Sequence, residues 1–156
     1  MTPKKYTGKL ISIDMYNCDA NIISDAKTSE TVLNTGCEKF AMNLKQIVCC
    51  QENEAEEFSL SAVCKQGHVT LHIYPQIGFV TADVFSCCEG SDPAGMARYL
   101  RLSFDADKSK ITLLNRGDFG SESDMKPKKR SSIKFIRRTE NLGGKIKKMI
   151  FKPRSI

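Results

Sequence analysis

Residues 67–90 read GHVTLHIYPQIGFVTADVFSCCEG, two runs of period two joined by a turn. In the first run His68, Thr70, His72 and Tyr74 alternate with Val69, Leu71 and Ile73. A strand sends successive side chains to opposite faces, so the chemically capable groups collect on one side and the aliphatic ones on the other. Pro75-Gln76-Ile77-Gly78 turns the chain. In the second run Phe79, Thr81, Asp83, Phe85 and Cys87 share a face against Val80, Ala82, Val84 and Ser86. The two histidines lie four strand residues apart, about 13 Å, too far to share one metal ion.

Working outward, Lys9 to Tyr16 alternates in the same way and predicts a strand. A segment from about 21 to 43 repeats Ile22/Ile23, Ala26, Val32/Leu33, Cys37 and Phe40/Ala41 at helical spacing. Gln46–Cys50 and Phe58–Lys65 read as strands on either side of an acidic loop. Gln66-Gly67 reads as the hairpin turn into the strand that follows. Asp92-Pro93 is a helix start, with Asp able to cap free N–H groups and Pro suited to the first helical position. Ile111 to Asn115 is a last strand. The order β-α-β-β-β-β-α-β predicts an α+β fold, an antiparallel sheet with two helices packed on one face.

Charge divides the chain. Residues 126–156 hold 12 of the 24 Lys and Arg but one of the 18 Asp and Glu, a net +11, which leaves −5 on the other 125 residues. This predicts a domain over 1–120 and a basic tail over 121–156, joined through the polar stretch Gly120-Ser121-Glu122-Ser123. The tail interleaves cations with Ile133, Phe135, Ile136, Ile146, Met149, Ile150 and Phe151, a pattern suited to phosphate backbones or an anionic membrane surface. No apolar run is long enough to predict a transmembrane segment. Seven cysteines, an odd number without an apolar leader, predict reduced thiols and a cytoplasmic location. None makes a CxxC pair, and no metal site is expected.

The central block resembles that of bacterial S-adenosylmethionine decarboxylases, small pyruvoyl enzymes that make the aminopropyl donor for spermidine. The resemblance runs through His68, Thr70, His72, Tyr74, Pro75, Gly78, Asp83, Phe85 and Cys87. It implies that family's two-layer sandwich, whose protomers pair. It also implies site roles: His72 and Ser59 assisting self-cleavage, Cys87 donating a proton in decarboxylation, Tyr74 stacking on adenine, and His68 and Asp83 contributing to the ligand site. Where the family is cut between glutamate and serine, this chain has Gln66-Gly67. A pyruvoyl group needs a side-chain oxygen or sulfur that attacks the preceding carbonyl and is later eliminated, and glycine has no β-carbon to carry one.

The sequence therefore predicts a decarboxylase-related protein of polyamine metabolism, without the pyruvoyl cofactor, acting as a ligand-binding or regulatory homologue. Its expected ligand is S-adenosylmethionine or a related small molecule, and its expected partner a second copy or an active paralogue. Two alternatives stand beside this reading. One is an active S-adenosylmethionine-consuming enzyme, a decarboxylase or a cofactor-free lyase that exploits the sulfonium leaving group. The other is a nucleic-acid or anionic-surface binder acting through the tail.

Overall fold

Aliphatic side chains on one face of each central strand decide where the two layers meet. The computed structural model describes residues 7–51 and 57–117, and the readings placed on residues 118–156 lie outside them. The strands are β1 (Gly8–Tyr16), β2 (Leu44–Gln51), β3 (Phe58–Cys64), β4 (Gly67–Tyr74), β5 (Phe79–Ser86) and β6 (Lys108–Arg116). The helices are α1 (Ala20–Ile23), α2 (Ala26–Lys39) and α3 (Pro93–Ser103), with a short 3₁₀ turn over Pro75–Ile77. The strands form one sheet in the order β2-β3-β4-β5-β1-β6, every neighbouring pair antiparallel. The fold is α+β, with α2 packed on β2 and β3 and α3 on β1 and β5.

Ile13, Met15, Leu60, Val69, Leu71, Ile73, Val80 and Val84 all point from the sheet into the layer beneath the helices, where none is exposed. Leu33 and Cys37 from α2, and Met96, Leu100 and Phe104 from α3 and its end, meet them there. The two helices touch at Gly36, where a β-carbon would lie 2.6 Å from the Met96 sulfur, so the small residue sets how closely they approach.

Three local readings are corrected. The segment read as helical from 21 to 43 breaks at Asp25, which caps α2 by accepting the N–H of Lys27 at 3.2 Å and of Thr28 at 3.0 Å. Satisfying those orphan donors favours a fresh helix start over a continuous one. The β3–β4 turn is Lys65-Gln66, and Gly67 is already the first residue of β4, paired with Cys64. The last strand begins three residues earlier than its apolar run, at Lys108.

The hydroxyl of Thr28 and the two N–H donors hold the Asp25 carboxyl below its ordinary value. A depressed carboxyl contributes stability above its unfolded-state pKa and loses it as pH falls through the folded-state pKa. Asp25→Ala is therefore expected to lower the melting temperature at neutral pH. Thermal melts at successively lower pH should show the gap to wild type closing.

Candidate functional site

The face of the sheet turned away from the helices carries the polar groups, and strand register sorts them into rows. One row runs Cys50, Ser59, His72, Thr81 and Asp14 across β2, β3, β4, β5 and β1. Ser59 Oγ and His72 Nδ1 are hydrogen-bonded at 2.8 Å. The Thr81 hydroxyl donates to Asp14 Oδ1 at 2.9 Å. In the next row Ser12 donates to Asp83, which ties that carboxylate to β1. Beyond the first row Tyr16, Phe79 and Tyr74 form an aromatic ladder, with ring centroids 5.2 and 5.8 Å apart.

Cys50, Ser59, His72 and Tyr74 line an open pocket of about 570 Å³, completed by Gln51, Glu57 and Phe58. Three residues expected from sequence, Ser59, His72 and Tyr74, thus converge. Cys50 and Glu57 were not anticipated. Cys50 sits on an edge strand whose pairing with β3 shifts at an irregularity between Leu44 and Gln46, so its face cannot be counted from its own sequence.

The remaining expected residues lie elsewhere. His68, Cys87 and the Gln66-Gly67 peptide gather at the opposite end of β4. His72 lies five positions beyond Gly67, about 16 Å along an extended strand. There the His68 and Phe85 rings lie 5.4 Å apart, and the Arg116 guanidinium covers Phe85 at 5.5 Å. Cys87 is exposed, and its N–H donates to the carbonyl of Gln66 at 2.8 Å. Asp83 stands between the two ends, paired with Thr70 on β4 and Ser12 on β1, one row from His72 and one row from His68.

Gly67 fits this corner because it has no side chain. A β-carbon there would overlap the carbonyl oxygen of Phe85 and come within 2.9 Å of the Ser86 Cα. The β4–β5 ladder closes onto the position, pairing Gly67 with Ser86. The residues present therefore do not fit a pyruvoyl group: the precursor hydroxyl is missing, and backbone fills the space its carbon would need. Among the described residues no cluster of His, Cys, Asp and Glu is arranged to hold a metal ion. No described helix is long and apolar enough to cross a membrane.

Comparison with known proteins agrees with this architecture. The sequence profile of the S-adenosylmethionine decarboxylase family matches residues 9–117. The chain is 30% identical over 118 residues to the S-adenosylmethionine decarboxylase proenzyme of Saccharolobus islandicus (strain L.S.2.15), covering 76% of this chain and 93% of that one. It is 26% identical over 110 residues to the corresponding proenzyme of Moorella thermoacetica, covering 70% of this chain and 87% of that one. The crystal structure of adenosylmethionine decarboxylase from Aquifex aeolicus superposes with a TM-score of 0.66 at 19% identity, covering 72% of this chain and 92% of that one, a likeness of fold.

Proposed function

The chain belongs to the S-adenosylmethionine decarboxylase family, and we propose that it serves polyamine metabolism as an uncut, pyruvoyl-free homologue that binds a ligand or regulates a partner. One observation carries this reading: the Phe85 carbonyl lies where residue 67 would need a β-carbon. Without that carbon neither the ester nor the dehydroalanine on the way to a keto-acyl terminus forms.

The ligand proposed is S-adenosylmethionine or a related sulfonium nucleoside, seated in the pocket beside His72. Tyr74 offers a ring for the base to stack on. Glu57 supplies a carboxylate in the same wall, where charge of that sign favours a cation. The partner proposed is a second copy or an active paralogue. Two features support it: Ser59–His72 lies too far from the Gly67 corner for one protomer to unite them, and Tyr16, Val48, Val63 and Leu114 on the open face are 42–53% exposed. Large apolar groups left on an uncovered sheet face favour association.

Two measurements test the reading. Intact mass should show one polypeptide spanning residues 1–156. Calorimetric titration with S-adenosylmethionine should show binding that Tyr74→Ala weakens by up to about tenfold, the worth of a good stacking contact. Released carbon dioxide would overturn the proposal. Methylthioadenosine with homoserine lactone would replace it with the cofactor-free lyase.

A further inference from the structure

The row that contains Ser59 and His72 has a third member on its outer side. Cys50 pairs with Ser59, as Ser59 pairs with His72, so a thiol, a hydroxyl and an imidazole stand side by side on three adjacent strands. Directly opposed residues of antiparallel strands hold their β-carbons about 4.5–5.5 Å apart, close enough for a rotamer change to bring the sulfur to the serine oxygen. All three line the same pocket, and Cys50 is exposed to it. Ser59 and His72 are already hydrogen-bonded at 2.8 Å. A nucleophile, a relay and a base in one concave site is the arrangement that activates a covalent catalyst.

We infer that Cys50 is a nucleophilic thiol of this pocket, deprotonated by His72 through Ser59, and that it accepts a soft alkylating electrophile. The serine hydroxyl passes its proton to Nδ1 of His72 and takes the thiol proton in return. The sulfur then forms a bond to the electrophilic carbon, and the bond from that carbon to its leaving group breaks with both electrons. The products are a thioether on Cys50, an imidazolium on His72 and the departed group. A sulfonium cation belongs to this class of electrophile, with a neutral thioether as leaving group. That identification rests on the functional reading above, whereas the thiol chemistry stands without it.

The molecule provides its own controls. Cys87 is exposed but lies at the far end of the face, outside the pocket. Cys49 is also exposed, yet its register with Leu60 places it on the helix side. Partial desolvation, then the Glu30 carboxylate, push its thiol up, so it should react more slowly than Cys50 or Cys87.

The test treats the full chain with limiting iodoacetamide and follows each cysteine by peptide mass mapping. Cys50 should alkylate at least about tenfold faster than Cys87, a modest effect for a positioned base. His72→Gln keeps a hydrogen-bonding group but cannot hold the proton, and should bring Cys50 to within about twofold of Cys87, removing that advantage. Ser59→Ala should do the same, and Ser59→Thr, which keeps the hydroxyl, should retain the fast reaction. All three positions lie on the open face, away from the buried layer, and circular dichroism checks that each variant is folded. A Cys50 rate equal to that of Cys87 overturns the inference. So does a rate unmoved by His72→Gln, or a Ser59→Thr chain as slow as Ser59→Ala. None of these outcomes depends on whether the chain is cut or binds S-adenosylmethionine.

Discussion

A Gly67→Ser chain is expected to remain one uncut polypeptide and to be less stable than wild type by about 1–3 kcal/mol, the usual penalty for forcing atoms into a filled site. The substitution restores the hydroxyl that pyruvoyl formation requires, so on chemical grounds alone it should rescue the cut. Geometry opposes this. The new β-carbon would overlap the Phe85 carbonyl, which belongs to a paired strand and cannot rotate aside as a flexible side chain would. The carbonyl of Gln66, the one a nucleophile would attack, accepts the N–H of Cys87 at 2.8 Å, which would polarise it rather than protect it, so the steric overlap alone opposes the cut. Gly67→Ala separates the two effects, since it should be destabilised by a similar amount with no hydroxyl present. Denaturant melts report the stability loss, and intact mass reports cleavage. Fragments corresponding to residues 1–66 and 67–156 from the serine variant would mean that the corner can still open and that only an oxygen had been lost.

Phe104→Ala is expected to cost about 3–5 kcal/mol, enough to unfold much of a marginally stable domain. Phe104 has no exposed surface and closes the core where α3 ends. Its N–H donates to the Leu100 carbonyl at 3.0 Å, and its own carbonyl accepts the Asp19 N–H at 3.0 Å, tying α3 to the start of α1. Alanine keeps both backbone bonds, so the loss should report the void left by the ring. In urea the midpoint should fall with little change in slope. Phe104→Leu, which leaves a smaller void, should lose less. Equal stability of wild type and the alanine variant would show that the ring does not seal the core.

How much of this was legible in the sequence depended on how local the signal was. The two faces of β4 and β5 follow from alternation within eight-residue runs, and every aliphatic residue assigned to the inner face of β4 is buried. The start of α3 is equally local: Asp92 accepts the Gly95 N–H at 2.8 Å, with Pro93 behind it. The break before α2 was hidden because apolar residues keep helical spacing across Asp25. Strand β6 outruns its apolar centre because its ends, Lys108 and Arg116, are held by pairing with Tyr16 and Gly8 far back in the chain. The pocket was the least legible part. Ser59 and His72 were singled out by family resemblance, but their meeting depends on the β3–β4 register, and Cys50 joins them through a register that shifts within β2. Such cross-strand information has no counterpart in local periodicity.

Three of the seven cysteine sulfurs face another fate altogether. Desolvation pushes the thiol of Cys18 up to about 11 and that of Cys37 up to about 12, and raises Cys64 beside it. At neutral pH these remain protonated and sealed among hydrocarbon, and a thiol without its anion is a poor reductant. Peroxide or dissolved oxygen thus finds reactive thiols only among the cysteines outside the core. Disulfide and sulfenic-acid formation in air becomes a superficial chemistry, which added dithiothreitol can undo without the interior having to open.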